Sequence, residues 1–591
     1  LSASTSLGKS MIIDAILGCD TYNKVVIVVP TLALIDETRK RLKLRFGNAL
    51  QIITHKSQAI KDDKVVFVLT QERVIERDDL FDLDLLVIDE FYKLDLNKES
   101  DASRATLLNL AFYSLNKYAK QFYLLGPNID DVIGLDKVNQ SYVFLVPDFQ
   151  TVAVDVHRYN LKAKCDERYD KLAELLNGFN HDSSIVYCQS PNSTSKVIAR
   201  LLENVDFHFT PSKEVTDLIH WLKINFHQEW NLVKALELGI GIHHANIPRA
   251  IQQHIVYLFN NKKINHLVCT STLIEGVNTV AKHVILFDRR IGAGSNINFF
   301  TFKNISGRAG RMFKHLIGHV HCLEEPPEKD CTNVDIPIGT QGSDIPDVLL
   351  LHCDEMDLSV DSRSRISKVN LSILDIDTMK ANIPYDTNVQ HAVASRLVDD
   401  LNLSGNFLDF NAIPTKQQRE YLCILIFDYL EGHSLRKGNV YTSEGLSGLI
   451  GAFIKSKGYS KFIQYQIRCR DLEDDVSDVI QVAIKQLRNV IGHTIPKALM
   501  ALDRIINAVF KHLNIDCKID LSVFVNEFEN YFLPPAIAAL DEYGIPIQIA
   551  EKYASYIDEL STLDEALDML HRVELNKLEG FHKAAITFAL E

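Results

Sequence analysis

LDLLVIDEFYKLD, residues 83–95, decides how the first half of this chain is read. Leu85 to Ile88 is an unbroken apolar run, and it stops on two carboxylates, Asp89 and Glu90. An unbroken run needs apolar cover on both faces, which is the habit of parallel strands lying between layers of helices. Three more runs of this kind surround it: KVVIVVP (24–30), KVVFVLT (64–70) and QFYLLGP (121–127). Helical patterns separate them. The rhythm returns over 180–325 in SSIVYCQS, INHLVCTS, KHVILFD and IGHVHCL. Two successive α/β units predict two similar parallel sheets in tandem. Ligands of such sheets gather at the carboxyl ends of the strands.

The bulk properties bound what else the chain can be. Its 591 residues exceed what one core organises, so three or four domains are expected. With 46% hydrophobic and 24% charged residues it reads as an ordinary globular protein, and no apolar run is long enough for a membrane span. A net charge of −14 excludes a uniformly basic nucleic-acid coat and leaves room for a local basic channel. Ten cysteines without a C-x-x-C pair suit a reducing bacterial cytosol and argue against a zinc or iron–sulfur cluster.

Four regions follow: 1–150 and 151–325 as the two α/β units, 326–414, and 415–591. The acidic, Pro- and Gly-rich stretch 324–347 reads as an exposed linker, and 347–414 has room for a small winged-helix-like module. Beyond 415 the strand-like runs stop. KQQREYLCILIFDYLE (416–431) places Tyr421, Leu422, Leu425, Ile426 and Tyr429 on one helical stripe. Thr562 and Glu565 have capping-box spacing, and LDEYGIPIQIAEKY (540–553) reads as a helix stopping at Gly544, a turn at Pro546 and a second helix. A mainly α-helical C-terminal region is expected.

The chemistry sits after the strand ends. LSASTSLGKS (1–10) turns into a helix near Lys9. In a phosphate loop the backbone amides of Thr5, Ser6, Leu7 and Gly8 would wrap a phosphate, Lys9 would reach the β- and γ-phosphates, and the Ser10 hydroxyl would bind Mg²⁺. Ala3 stands where the strict pattern has its first glycine, and G-K-S alone also suits an ordinary helix start. The Asp89–Glu90 pair changes the balance, because a carboxylate after a strand can hold Mg²⁺ while its neighbour orients a water. Its plainer alternative is a helix cap. GRAGR (307–311) offers Arg308 and Arg311, separated by small residues, as paired guanidinium groups for a transferring phosphoryl group; a solvated basic turn is the alternative.

Phosphate loop, D-E-x-x box and G-R-x-G-R, in this order on two tandem α/β units, resemble superfamily-2 helicases, whose motor is a pair of RecA-like domains. GIGIHHANIPRAIQQHIVYLFNNKKINHLVCTSTLIEGVNTVAKHVILFD (239–288) is the most specific stretch and resembles the Ski-like branch of that superfamily. The resemblance covers about residues 1–325 and implies ATP and Mg²⁺ as cofactors. It implies a catalytic set of Lys9, Asp89, Glu90, Arg308 and Arg311, with Gly276 and Asn278 approaching the nucleotide from the second domain. It implies that Pro30, Thr31, Thr70, Ser190 and Thr270, with Glu72, His243 and Thr272 beside them, line a nucleic-acid strand and hold its phosphates without reading bases. His243–His244 lack the spacing of a metal pair, so a hydrogen-bonding role near the strand is expected.

Three positions depart from the family. Gly126-Pro127-Asn128 replaces the S-A-T motif that couples hydrolysis to unwinding, Asn304 replaces a usual Gln, and Tyr92 closes the D-E-x-x box where His is usual. Hydrolysis should survive these changes; efficient strand separation is what they put in question. RRIGAGSNINFFTF (289–302) occupies the interval of the branch's duplex-splitting hairpin, with a tight turn at Gly292 and Gly294. Phe299 and Phe302 are expected to pack in the core rather than stack on bases.

DEFYK (89–93), LLGPNI (124–129) and the helical tail containing PPAIAALDEYGIPIQIAEKY (534–553) are similar to the helicase subunits of bacterial anti-phage systems of the Hachiman and Abp types. That resemblance implies a cytoplasmic motor which loads on DNA with a 3′ single-stranded end and serves a nuclease-like effector subunit. Two other functions fit the same residues: an ATP-gated DNA-binding scaffold that does not unwind, and an RNA helicase of the exosome-associated type. The strand feeding the opening loop and an adenine-reading Gln motif are expected upstream of Leu1, so an N-terminal portion is expected to precede this chain.

Overall fold

The computed structural model describes residues 1–591 other than 3–7, 20, 99–100, 128, 138–140, 148–151, 164, 180–181, 205–207, 277–278, 280, 293, 311–316, 411–412, 557–561 and 591. Strands β1 (Lys24–Val28), β2 (Gln51–Ile53), β3 (Val65–Leu69), β4 (Leu85–Asp89) and β5 (Phe122–Leu125) form a parallel sheet in the order β2-β3-β1-β4-β5. Ser2 extends it beyond β5 through a parallel bridge to Gly126, and the Leu1 amine donates to Leu124 O at 2.7 Å. The unbroken runs divide by parity as two-sided cover requires. Val25, Ile27, Val66, Val68, Leu85 and Val87 meet Ile13, Leu17 and Leu42 on one face. Val26, Val28, Phe67, Leu86 and Ile88 meet Leu108, Phe112 and Leu115 on the other.

After the short strand β6 (Asp131–Ile133) comes the second sheet. Its members are β7 (Ala153–Arg158), β8 (Ser184–Tyr187), β9 (Ile240–His243), β10 (His266–Cys269) and β11 (His283–Leu286). The two-residue strands β12 (Arg290–Ile291) and β13 (Ser295–Asn296) make an antiparallel hairpin before β14 (Ile317–Cys322) completes that sheet. All its pairings are parallel, in the order β7-β14-β11-β8-β10-β9. The expected pair of RecA-like sheets is present.

The segment 326–414 is not a plain linker. Strand β15 (Asn333–Asp335) returns to pair with β6, and Ile338, Ile345, Leu349, Leu350 and Ile383 pack with Leu110 on the helix Ala102–Asn116 of the first unit. Residues 347–410 form helices and contain no strand, so the wing of a winged-helix module is missing there.

The C-terminal region is helical and shares one continuous apolar core with the second sheet. The 416–431 helix runs as α-helix over Lys416–Leu425 and as π-helix over Ile426–Glu431; Leu422, Leu425 and Ile426 are buried while Tyr421 and Tyr429 lie at the margin. A longer helix, Val476–His512, is π-helical over Gln486–Thr494. The capping box at Thr562 forms as expected, and a second one forms at Thr415 and Gln418. The two helices expected around Gly544 are shorter than the pattern suggests. Pro535–Ala538 and Ile547–Ala550 are single α-turns, each extended by 3₁₀ turns, because prolines at 534, 535 and 546 restart the chain. Gly544 itself ends the first in the left-handed conformation at φ 85°.

Candidate active site and nucleic-acid groove

Gly8 precedes the helix Lys9–Leu17 with φ 84°, a backbone shape that an L side chain adopts only under strain. It turns the chain so that the Lys9 ammonium enters the molecule. Lys9 is 8% exposed, and its Nζ has no hydrogen-bond partner among the described residues. A buried ammonium in that position fits an absent anion. Ser10, next along, is exposed. Thr5, Ser6 and Leu7 lie outside the described residues.

Across from Lys9, β4 delivers the acid pair. Asp89 Oδ1 accepts the Glu90 amide at 3.0 Å, and Glu90 sits in the left-handed region at φ 55°, a strained geometry for a residue with a Cβ. Burial pushes both carboxyls upward, Glu90 to about 7, and the charge of Lys9 opposes the shift in each. Arg308 of the second unit is half-buried, and desolvation lowers its pKa against the pull of Glu37 and Glu90 from the first unit. Two acids, one ammonium and one guanidinium therefore converge on a single cleft between the sheets. Gly318 on β14 sits so near Ala309 that a Cβ would come within 2.4 Å of its carbonyl, which explains the small residues around the arginine. Gly276 ends the helix Ser271–Gly276; Asn278 and Arg311 lie outside the described residues.

The departures from the family pattern have physical partners. Phe91 is 1% exposed, and a Cβ on Gly126 would meet its ring at 3.0 Å and Ile129 Cδ1 at 2.6 Å. Tyr92 meets Phe300 edge to face at 4.7 Å, and Phe300, carried by the helix Phe299–Ser306 of the second unit, packs into the first unit's core. Core packing was expected of Phe299 and Phe302. Phe302 does pack against the second core; Phe299 is only partly covered, stacked on Phe302 at 6.3 Å, and the deeply buried ring is Phe300. One-residue spacing on a helix turns adjacent side chains through roughly 100°, so sequence alone did not say which of three phenylalanines faced inward.

The residues expected to contact nucleic acid lie at or just after the carboxyl ends of parallel strands: β1, β3, β8, β9 and β10. Thr31 caps the helix Leu32–Phe46, accepting the Leu34 amide at 3.3 Å. Glu72 pairs with Arg104 at 3.1 Å, and Arg104 also donates to Pro30 O at 2.5 Å. Thr70 precedes the helix Gln71–Ile75 and is buried. In the second unit Ser190 Oγ accepts the Ser193 amide at 3.2 Å, and Asp288 braces that turn by accepting from Gln189 N at 2.9 Å. Thr270, Thr272 and His243 form a chain of contacts at 3.2 and 3.4 Å. His243 and Thr270 are buried and Thr272 is exposed, so the hydrogen bond of His243 goes to Thr272 and not to the open surface. His243 and His244 stay neutral, lowered by burial to about 4 and about 3.

Several neighbours carried no motif. Arg104 belongs to an ordinary helix. His493 and Lys497 reach the groove from the long C-terminal helix, where their charges act on Asp101 of the first unit. Arg488, in its π-helical part, donates to Ala245 O and Ile247 O at 2.7 and 2.6 Å. The local widening of that helix, common at functional positions, marks Arg488 and His493; Lys497 lies just beyond it, and Arg104 carries no local signal.

Residues 1–125 match the DEAD/DEAH box helicase family, and residues 167–313 match the helicase conserved C-terminal domain. Anti-bacteriophage protein B of Escherichia coli K12 is 37% identical over 584 residues, covering 96% of this chain and 79% of that protein. The DExH-box ATP-dependent RNA helicase DExH14 of Arabidopsis thaliana is 26% identical over 38% of this chain and 12% of its own. Hachiman protein HamB of Bacillus cereus is 31% identical over 93 residues, 16% of this chain and 8% of that protein.

Proposed function

The chain belongs to the anti-bacteriophage protein B family of DEAD/DEAH-box helicases, and on that premise we propose that it is an ATP-driven motor which engages DNA bearing a 3′ single-stranded end and serves a nuclease-like effector in anti-phage defence. It is an ATP-dependent helicase, and its relatives tie it to defence. DNA as the strand, the 3′ end and the effector are the further steps of the proposal.

The observation that carries the site assignment is the Lys9 ammonium, buried without a described hydrogen-bond partner beside the half-buried Asp89–Glu90 pair. We assign Lys9 and the amides of the loop Thr5–Gly8 to the β- and γ-phosphates. Ser10 and Asp89 would hold Mg²⁺, which neutralises charge developing on the phosphate oxygens. Glu90 orients the attacking water and accepts its proton; burial, by raising its pKa, makes it a better base. Arg308, with Arg311, stabilises the transferring group from the second unit, and Gly276 and Asn278 flank the nucleotide there. Pro30, Thr31, Thr70, Glu72, Ser190, Thr270 and Thr272 form the strand groove, with His243 supporting Thr272 from beneath.

Glu90→Gln should still bind ATP and lose turnover, and Arg308→Ala should lower kcat by about a thousandfold. Parental hydrolysis in the Glu90 variant would remove the acid pair from the mechanism. ATPase rates on single-stranded DNA, 3′-tailed duplex and RNA test the rest. The proposal expects the tailed DNA to stimulate most; equal or greater stimulation by RNA would favour a groove that contacts 2′-hydroxyls. A second reading, an ATP-gated scaffold, is favoured by one observation: Gly126 and Phe91 interlock where the family's coupling motif lies. DNA-stimulated hydrolysis without strand displacement would support it.

A further inference from the structure

We propose that Asp155, His157 and His319 form a binding site for one divalent transition-metal cation of the zinc type, on the outer edge of the second sheet and independent of the ATP cleft. The three lie on β7 and β14, where His319 is the register partner of Asp155, and His321 of His157. Residues two apart on a strand share a face, so all four side chains project to the same side. His157 Nε2 is 3.3 Å from Asp155 Oδ2 and 3.3 Å from His319 Nδ1, and His319 Nδ1 is 3.7 Å from the same carboxylate oxygen.

Two of those separations match what a shared cation requires, and the third is about 0.3 Å wider. Zn²⁺ bound tetrahedrally at about 2.0–2.1 Å sets its ligand atoms about 3.3–3.4 Å apart. As hydrogen bonds the contacts are long, and a single proton serves one edge of the triangle well, not three. A cation at the centre serves all three. The ligand set, two imidazoles and one carboxylate, is of the kind Zn²⁺ accepts with a fourth position left to water. The side chains are 58%, 38% and 28% exposed for Asp155, His157 and His319, which leaves that fourth position open to solvent.

A second layer of rings orients the first. His157 stacks on His321 at 4.7 Å, and His319 stacks on His283 at 5.1 Å. His283 in turn stacks on Phe179 at 3.8 Å, and His321 Nδ1 is 3.1 Å from the Tyr159 hydroxyl. The sheet supplies rigid backbones, and the stacked rings limit ligand rotation, the support that metal-binding histidines need. Bound metal would fasten β7, an edge strand and the first strand of the second unit, to its single neighbour β14.

The test uses the full chain carrying Cys19→Ser, Cys331→Ser and Cys469→Ser, because exposed thiols would compete for metal. After chelator treatment, Co²⁺ alone is titrated and displaced with Zn²⁺. The expected result is one equivalent with the visible absorption of tetrahedral Co²⁺, no thiolate charge-transfer band, and slowed amide exchange along β7 on adding Zn²⁺. His157→Gln and, separately, the more exposed Asp155→Ala should each weaken binding by more than the roughly 10–100-fold that loss of a supporting partner costs. Octahedral or thiolate-type spectra, no stoichiometric binding, or unchanged affinity in either folded variant would overturn the proposal.

Discussion

Gly126 illustrates how a single position carries the departure from the family. The usual motif begins with Ser, but a Cβ at 126 would press on Ile129 at 2.6 Å and on the Phe91 ring at 3.0 Å. Phe91 is itself a core residue, 1% exposed and packed with Ile88, Leu124 and Ile129 in the same apolar cluster. Restoring the family residue, Gly126→Ser, is therefore expected to destabilise the chain by about 1–3 kcal/mol through overpacking. Equilibrium denaturation measures this, and a variant as stable as the parent would mean that Phe91 moves aside at no cost. Tyr92 follows the same logic: where the family has an imidazole it places a ring against Phe300, so contact between the two units here is aromatic.

At the scale of elements, Asp541–Gly544 joins three parts of the molecule. Glu542 pairs with Arg73 of the first unit at 2.5 Å and lies 3.8 Å from Arg249 of the second. Burial alone would raise the Glu542 carboxyl, yet Arg73 and Arg249 hold it below its usual range. Tyr543 meets Thr54 Oγ1 at 3.1 Å with the Arg39 guanidinium over its ring at 4.1 Å. Glu542→Ala removes the carboxylate partner of Arg73, which keeps only Thr54 O, and leaves Arg249 to Asp541, so it should cost on the order of 3 kcal/mol, read from urea midpoints; a loss below about 1 kcal/mol would mean that water already screens the pair. His254 secures the next residue, with its Nε2 donating to Gly544 O at 2.8 Å, and burial lowers its pKa to about 4. The unfolded imidazole titrates near 6.5, so between there and about 4 only the unfolded chain takes the proton. The stability held above 6.5 is lost as pH falls through that window, up to about 3 kcal/mol from this one group. His254→Gln, which keeps a donor and cannot titrate, should lose less stability than the parent on the same acidification. Equal losses in the two proteins would exclude His254 from the acid response.

For the whole molecule, charge and groove chemistry set the expectation for binding. The chain carries −14, and the proposed strand contacts are mostly hydroxyls and helix starts. The nearby Arg104 is already committed to Glu72 and Pro30 O. Few counterions are then released from DNA, and log K against log salt should have a slope of about −2 to −3, well short of the −6 to −10 of proteins that hold phosphates with many cations. A steep slope in a salt titration would place the strand elsewhere, on a basic surface.

Sequence alone determined the two parallel sheets, because two-sided burial writes unbroken apolar runs, and it named Lys9, Asp89, Glu90 and Arg308 as candidates, four groups that the fold brings within electrostatic reach of one another. Both signals are local, and adjacent residues suffice to carry them. What only the tertiary structure decided depends on distance in space between remote parts of the chain. The return of β15 to β6, the arrival of His493 and Lys497 at the groove, and the choice of Phe300 over its neighbours all arise from packing across more than a hundred residues. So does the meeting of Asp155 and His157 with His319, whose strands lie about as far apart in sequence as the second motor domain is long. Register between non-adjacent strands is set by the assembled core, and no local pattern of residues announces it.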